Sequence, residues 1–125
     1  MTAPLAASHP DADELTRDLI ARLRAVLVED LATQEQHFAE LRTTAESLRG
    51  QRDQDSLLER ELAEGSAAQR LEVIVDIKDA LIRIKTGTYG RCQRCGEPIA
   101  PARLEAIPHT RHCISCPPLT PRRLG

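Results

Sequence analysis

The chain has 125 residues, a length that fits one domain or a small module with an extension. It is 41% hydrophobic but only 2% aromatic, with Phe38 and Tyr89 as the aromatic residues, which excludes a bulky globular core and leaves Leu, Ile, Val and Ala to fill a narrow helical seam. The formal net charge of −2 is unremarkable and points to no charged partner by itself, and no stretch approaches the roughly 18 apolar residues of a membrane span.

Residues 1–10 are rich in Ala, Pro and Ser and are expected to form a disordered tail. They contain neither a basic n-region nor an apolar h-region, so the expectation is a cytoplasmic chain. Asp11 precedes Glu14 by three residues, an N-cap with a carboxylate in the first turn. From there to Leu48 no proline or glycine interrupts the chain. Leu15, Leu19, Leu23, Leu27 and Leu31 recur by fours, as at a stutter, and Phe38, Leu41, Ala45 and Leu48 follow a 3,4,3 heptad spacing. This pattern predicts a long amphipathic helix, which Gly50 ends.

Residues 51–55 are polar and turn-like. Ser56 with Glu59 matches a capping box, so the second helix is expected to start there and to end at Thr86-Gly87. Its expected seam runs through Leu57 or Leu58, Leu62, Leu71, Ile74, Ile77, Leu81 and Ile84. Two long helices joined by about six residues must lie antiparallel. Folding the chain about residues 52–53 sets Phe38 against Ala67 and Ala68, near Gly65, whose helix-interior cost of about 1 kcal/mol marks a soft point. The excess length of the first helix is expected to pack against the cysteine-bearing C-terminal module or to fray.

The chain's four cysteines form two C-x-x-C pairs, Cys92/Cys95 and Cys113/Cys116, separated by 17 residues. That spacing suits a four-cysteine zinc site, each pair supplying two sulfurs to one ion at about 2.3 Å. A disulfide framework would call for an export signal, and a redox C-x-x-C for a βαβ pattern; neither is present. Four thiolates close the coordination sphere, so the zinc is structural; His109 and His112 are left as surface or supporting groups. Residues 1–48 carry nine acidic and four basic side chains and residues 87–125 two and six, but a tetrathiolate zinc adds a formal −2 to the basic end.

The expected fold is therefore mainly α: a long antiparallel coiled-coil hairpin over 11–86 with its tip at 50–56, a zinc-finger module over 87–116 and a Pro/Arg-rich tail over 117–125. From Ala80 to Cys116 the sequence reads ALIRIKTGTYGRCQRCGEPIAPARLEAIPHTRHCISC. This resembles the DksA/TraR zinc-finger family of bacterial RNA polymerase regulators, with its ALxRI, GxYGxCxxCGxxI, RLxAxP and CxxC pattern. The four cysteines, Tyr89, Gly90, Gly96, Ile99, Arg103, Leu104, Ala106 and Pro108 all fall on that pattern.

The resemblance implies a non-enzymatic regulator that binds RNA polymerase without a DNA sequence of its own. Its coiled coil would enter the secondary channel and alter promoter complexes, often in concert with ppGpp. Carried over by position, the tip acids are Asp53 and Asp55. Well-known members carry two Asp separated by two residues and followed by Ala, whereas this chain has Asp53-Gln54-Asp55-Ser56. The plainer reading is that Asp55 and Ser56 cap the second helix while Asp53 solvates the turn. Arg91, Arg94, Arg103 and Arg111 are read as solvated surface, with Arg103 also a candidate donor to loop carbonyls, and Tyr89 as packed on the zinc loop. Two other functions compete: a zinc-ribbon nucleic-acid binder using the arginine-bearing end, and a structural coiled coil, which exposed apolar residues outside the seam would favour. No nucleophile–base constellation, phosphate loop or open metal site points to an enzyme.

Overall fold

The computed structural model describes residues 16–116. The expected tail over 1–10, the Asp11 cap, Leu15 and the tail over 117–125 lie outside the described residues. Three helices occur in order: α1, Arg17–Ser47; α2, Gln54–Thr86; and α3, Pro101–Ala106. Among the described residues the only β pairing is an isolated antiparallel bridge between Arg91 and Pro98. No described helix is long and apolar enough to cross a membrane. Contacts divide the described chain into two compact units, residues 28–78 and residues 16–27 with 79–116.

In the unit 28–78, α1 and α2 pack together along a heptad seam. On α1 the sheltered positions include Leu31, Phe38, Leu41 and Ala45, with Leu48 just past its end, as the apolar spacing predicts. Gln34 occupies the seam place between Leu31 and Phe38, and its Oε1 accepts a hydrogen bond from Arg70 Nη1 at 3.0 Å. A polar rung of this kind costs stability but holds one register, because slipping would strand both groups. It fixes the antiparallel alignment about residue 52. Phe38, Ala67 and Ala68 accordingly line one groove, as the folded-back sequence requires.

The tip-side half of the α2 seam differs from expectation. Leu57, Leu58, Leu62 and Leu71 are 44%, 56%, 63% and 46% exposed. The sheltered residues are instead Ser56, Arg60, Ala63, Ala67 and Arg70, followed by Ile74 and Ile77. The reason is register. Counting back from Ile77 and Ile74 in alternating threes and fours lands on Arg70, Ala67, Ala63, Arg60 and Ser56, and the leucines fall beside that line. Small alanines there admit Phe38 from the facing helix.

The turn between the helices also departs from the sequence reading. Gly50 does end α1 in a left-handed conformation, with φ +92°. But α2 begins at Gln54, not at Ser56. Asp53 is its cap: Asp53 Oδ2 accepts the Ser56 N–H at 3.0 Å. Ser56 is buried, and its Oγ lies 3.0 Å from Gln51 Oε1. The capping role expected of Asp55 and Ser56 thus falls to Asp53, because a carboxylate at the residue before the helix reaches the third amide while Asp55 and Ser56 already lie inside the first turn. Asp55 sits exposed in that first turn.

In the unit of 16–27 and 79–116, α1 starts behind Thr16, whose Oγ1 accepts the Leu19 N–H at 3.0 Å. Leu23, Leu27 and Ala80 are buried there together with Tyr89, Cys92, Ile99 and Leu104. Arg22 of α1 meets Glu105 of α3 at 3.8 Å. The excess length expected of the first helix is not seen among the described residues, where α1 has 31 residues and α2 has 33.

The cap and the helix-interior glycine each carry an expected effect on stability. A Cβ added at Gly65 meets nothing within 4 Å. Gly65→Ala is therefore expected to stabilise the chain by about 0.5–1 kcal/mol, read as a raised denaturant midpoint at unchanged slope. The hydrogen bonds from Ser56 lower the Asp53 pKa below 3.8. A lowered folded-state pKa means that the stabilisation is complete above 3.8 and is lost as pH falls through the folded value. The gap in Tm between the natural chain and Asp53→Ala should accordingly be full at neutral pH and narrow on acidification below 3.8.

Candidate metal centre

α2 ends where the cysteine module begins, and the junction is a hydrogen-bonded cap. Gly87, at φ +84°, lets the Thr88 N–H turn back to the Arg83 carbonyl at 2.9 Å while the Gly87 N–H reaches the Ile84 carbonyl at 3.4 Å. The Tyr89 N–H joins the same Arg83 carbonyl at 3.1 Å. Arg83 is itself buried, and its Nη2 donates to the Thr110 carbonyl at 3.2 Å. One residue of α2 thus holds both the entry to the module and its far loop.

The first cysteine pair lies in a tight reversal. The Cys92 N–H donates to the Glu97 carbonyl at 2.9 Å, the Gly96 N–H to the Cys92 carbonyl at 2.9 Å, and the Ile99 N–H to the Gly90 carbonyl at 2.8 Å. The Arg94 and Cys95 amides point at Cys92 Sγ, at 3.4 and 3.5 Å. The second pair is a turn closed by the Cys116 N–H on the Cys113 carbonyl at 3.1 Å, and the Gln93 N–H ties the two halves through the Arg111 carbonyl at 2.8 Å.

This scaffold brings Cys92, Cys95, Cys113 and Cys116 together, with all four sulfurs within 4.8 Å of one another. Cys95 Sγ and Cys113 Sγ are 3.8 Å apart. Sulfurs about 2.3 Å from a tetrahedral ion stand about 3.8 Å from each other, so the spacing fits zinc. It does not describe a disulfide, and all four thiols are unpaired. Among the described residues this is the one group of His, Cys, Asp and Glu able to hold a metal, and neither His109 nor His112 belongs to it.

Electrostatics agree with a thiolate site. Burial works to raise the Cys92 pKa, but amides of Cys113, Cys95 and Arg94 directed at its sulfur outweigh it and bring the thiol to about 6. The hydrogen bond with Cys95 and burial push Cys116 up to about 12. Four sulfurs this close cannot all ionise unaided; a divalent cation supplies the missing charge and displaces the protons.

The other side chains of the module are structural. Tyr89 is buried, its hydroxyl donating to the Pro108 carbonyl at 2.8 Å, and burial raises its pKa to about 12. Arg103 Nε donates to the His112 carbonyl at 2.9 Å, the loop-carbonyl role open to it from sequence. Arg111 is not solvated surface: it pairs with Asp79 of α2. Exposed Arg91 bonds the Gly96 carbonyl at 3.0 Å. Arg83 and Asp79 carried no assigned role in the sequence, because a charge on a helix reads as solvent-facing until its partner is known. Asp53 and Asp55 stand on the turn and first turn of α2, outside the sulfur cluster.

The purified chain is expected to carry one zinc ion, counted by elemental analysis. Chelation, or Cys113→Ser, should lower Tm and the protection of amides from Tyr89 to Cys116. Zinc retention should fall as pH drops and protons compete for the sulfurs.

A family model described as the prokaryotic DksA/TraR C4-type zinc finger matches residues 87–116. An uncharacterized protein of Aquifex aeolicus is 30% identical over 119 residues, covering 89% of this chain and 82% of that protein. General stress protein 16O of Bacillus subtilis is 42% identical over 43 residues, covering 34% of this chain and 26% of that protein. The structure of transcription factor DksA2 from Pseudomonas aeruginosa shares the fold, with a TM-score of 0.71 at 22% identity over 79% of this chain and 80% of that one. The zinc is the single structural cofactor of a C4-type finger. By the cysteine module and by the relative matched over most of its length, this chain belongs to the prokaryotic DksA/TraR C4-type zinc-finger family.

Proposed function

We propose that this protein is a non-enzymatic transcription regulator of the bacterial cytoplasm that binds RNA polymerase directly. The observation that carries the reading is a DksA/TraR zinc finger in a chain whose two long helices share their fold with a transcription factor. In this reading Cys92, Cys95, Cys113 and Cys116 ligate the zinc. The paired helices enter the secondary channel of the polymerase, and residues 50–56 form the working tip. Both tip acids are exposed, and Asp55 is the better effector carboxylate because Asp53 is committed to capping α2. A carboxylate there acts electrostatically on the metal-bearing active-site region of the polymerase. ppGpp belongs to this reading as a second ligand of the joint complex.

The test is binding of the zinc-loaded chain to core RNA polymerase without DNA, with and without a known secondary-channel ligand as competitor. Binding abolished by the competitor is expected. The tip is probed with Asp55→Ala and Asp53→Asn, because Asn keeps the cap while removing the charge. Asp55→Ala should bind normally and lose the effect on transcription. Absence of polymerase binding by the folded, zinc-loaded chain would overturn the proposal. Salt-sensitive binding to nucleic acid alone would point instead to the zinc-ribbon reading.

A further inference from the structure

α2 carries a second heptad series beside the one that packs on α1. Leu57, Glu61, Glu64, Ala68, Leu71, Val75 and Lys78 recur at alternating spacings of four and three, and all are exposed. On a helix such a series forms one stripe, here about 30 Å long. It lies wholly within the unit 28–78. Beside it, Phe38 and Ala45 of α1 join Ala67, Ala68 and Leu71 in lining a groove of about 310 Å³. A heptad series that is apolar at its centre and exposed at every position is the form of a helix-packing face.

The stripe is complementary to itself when read backwards. Setting Ala68 against Leu71 of an antiparallel copy also sets Leu71 against that copy's Ala68. The same alignment brings Glu61 opposite Lys78 and Glu64 opposite Val75. Each Leu71 then faces the groove side of Ala68, a large side chain over a small one, and an opposite-charge pair stands at each end. A parallel alignment would stack Glu61, Glu64 and Lys78 each on its own copy, and like charges would oppose it. An unrelated helix would not call for this reversed symmetry, whereas an isologous contact does.

We propose that this stripe is a docking face for a second copy of the chain, with α2 packed antiparallel on α2 about a two-fold axis between residues 68 and 71. Lys78 already meets Glu35 at 3.7 Å, but that pair is about half exposed, so exchanging it for Glu61 of the copy costs little. A stripe about 30 Å by 10 Å covers well under the ~800 Å² per partner of a stable complex, so the dimer is transient. The inference does not rest on polymerase binding.

The experiment is sedimentation of the zinc-loaded full chain across concentrations from about 5 μM to about 500 μM, where a weak contact should show association rising with concentration. Leu71→Glu should remain monomeric throughout with an unchanged helical signal. Glu61→Lys, facing Lys78, should weaken association at least about tenfold. The double change Glu61→Lys with Lys78→Glu should restore it, an outcome that only the antiparallel register explains. A chain that is monomeric at every concentration, or a double change that fails to restore association, would overturn the proposal. If the monomeric Leu71→Glu chain also lost polymerase binding where the natural chain bound, the face would belong to the polymerase instead.

Discussion

The closeness of four cysteine sulfurs is the constraint on which residues 87–116 depend. Residues 87–116 contain one aromatic side chain and one short helix, too little apolar volume to hold a fold by burial alone. The sulfurs within 4.8 Å of one another, the amides aimed at Cys92 and the turn closed at Cys116 replace the missing core with a coordination sphere. Tyr89, Ile99 and Leu104 are buried in the same unit and add the little apolar packing it has. Arg83 extends that frame into α2, giving its carbonyl to Thr88 and Tyr89 and its guanidinium to Thr110.

The paired helices of residues 28–78 are held by other means. Their seam contains serine, alanines and two arginines as well as isoleucines. Alanines let the backbones approach, Phe38 fills the space they leave, and the Gln34–Arg70 bond holds the alignment. Such a seam is specific before it is strong: apolar stacking would tolerate a slip of one heptad, but a lone polar rung would not. The leucines excluded from the seam remain on the surface, and two of them, Leu57 and Leu71, stand two heptads apart on a second face of α2.

Capping decides how the turn is to be read. A carboxylate that binds the third amide of its helix has its geometry fixed by folding, and Asp53 is in that position. Asp55, one residue inside the helix and exposed, has no such duty. The two acids are adjacent but one in sequence and distinct in chemistry. A family pattern transferred by position alone treats them alike.

The spacing of four cysteines, the proline-free run from Asp11 to Leu48 and the glycines at 50 and 87 were sufficient to specify a helical pair followed by a C4 metal module, since ligand spacing, heptad periodicity and left-handed caps are local properties of a chain. The α1 seam was legible for the same reason. On α2 the apolar pattern was ambiguous, because two heptad series run side by side and the more hydrophobic one in the tip-side half is not the one that packs. Only the facing helix could choose between them, through Phe38 against small residues and Gln34 against Arg70. The pairing of Arg111 with Asp79, the burial of Arg83 and the capping by Asp53 were likewise settled in three dimensions, because each depends on which polar group the fold brings within reach of another.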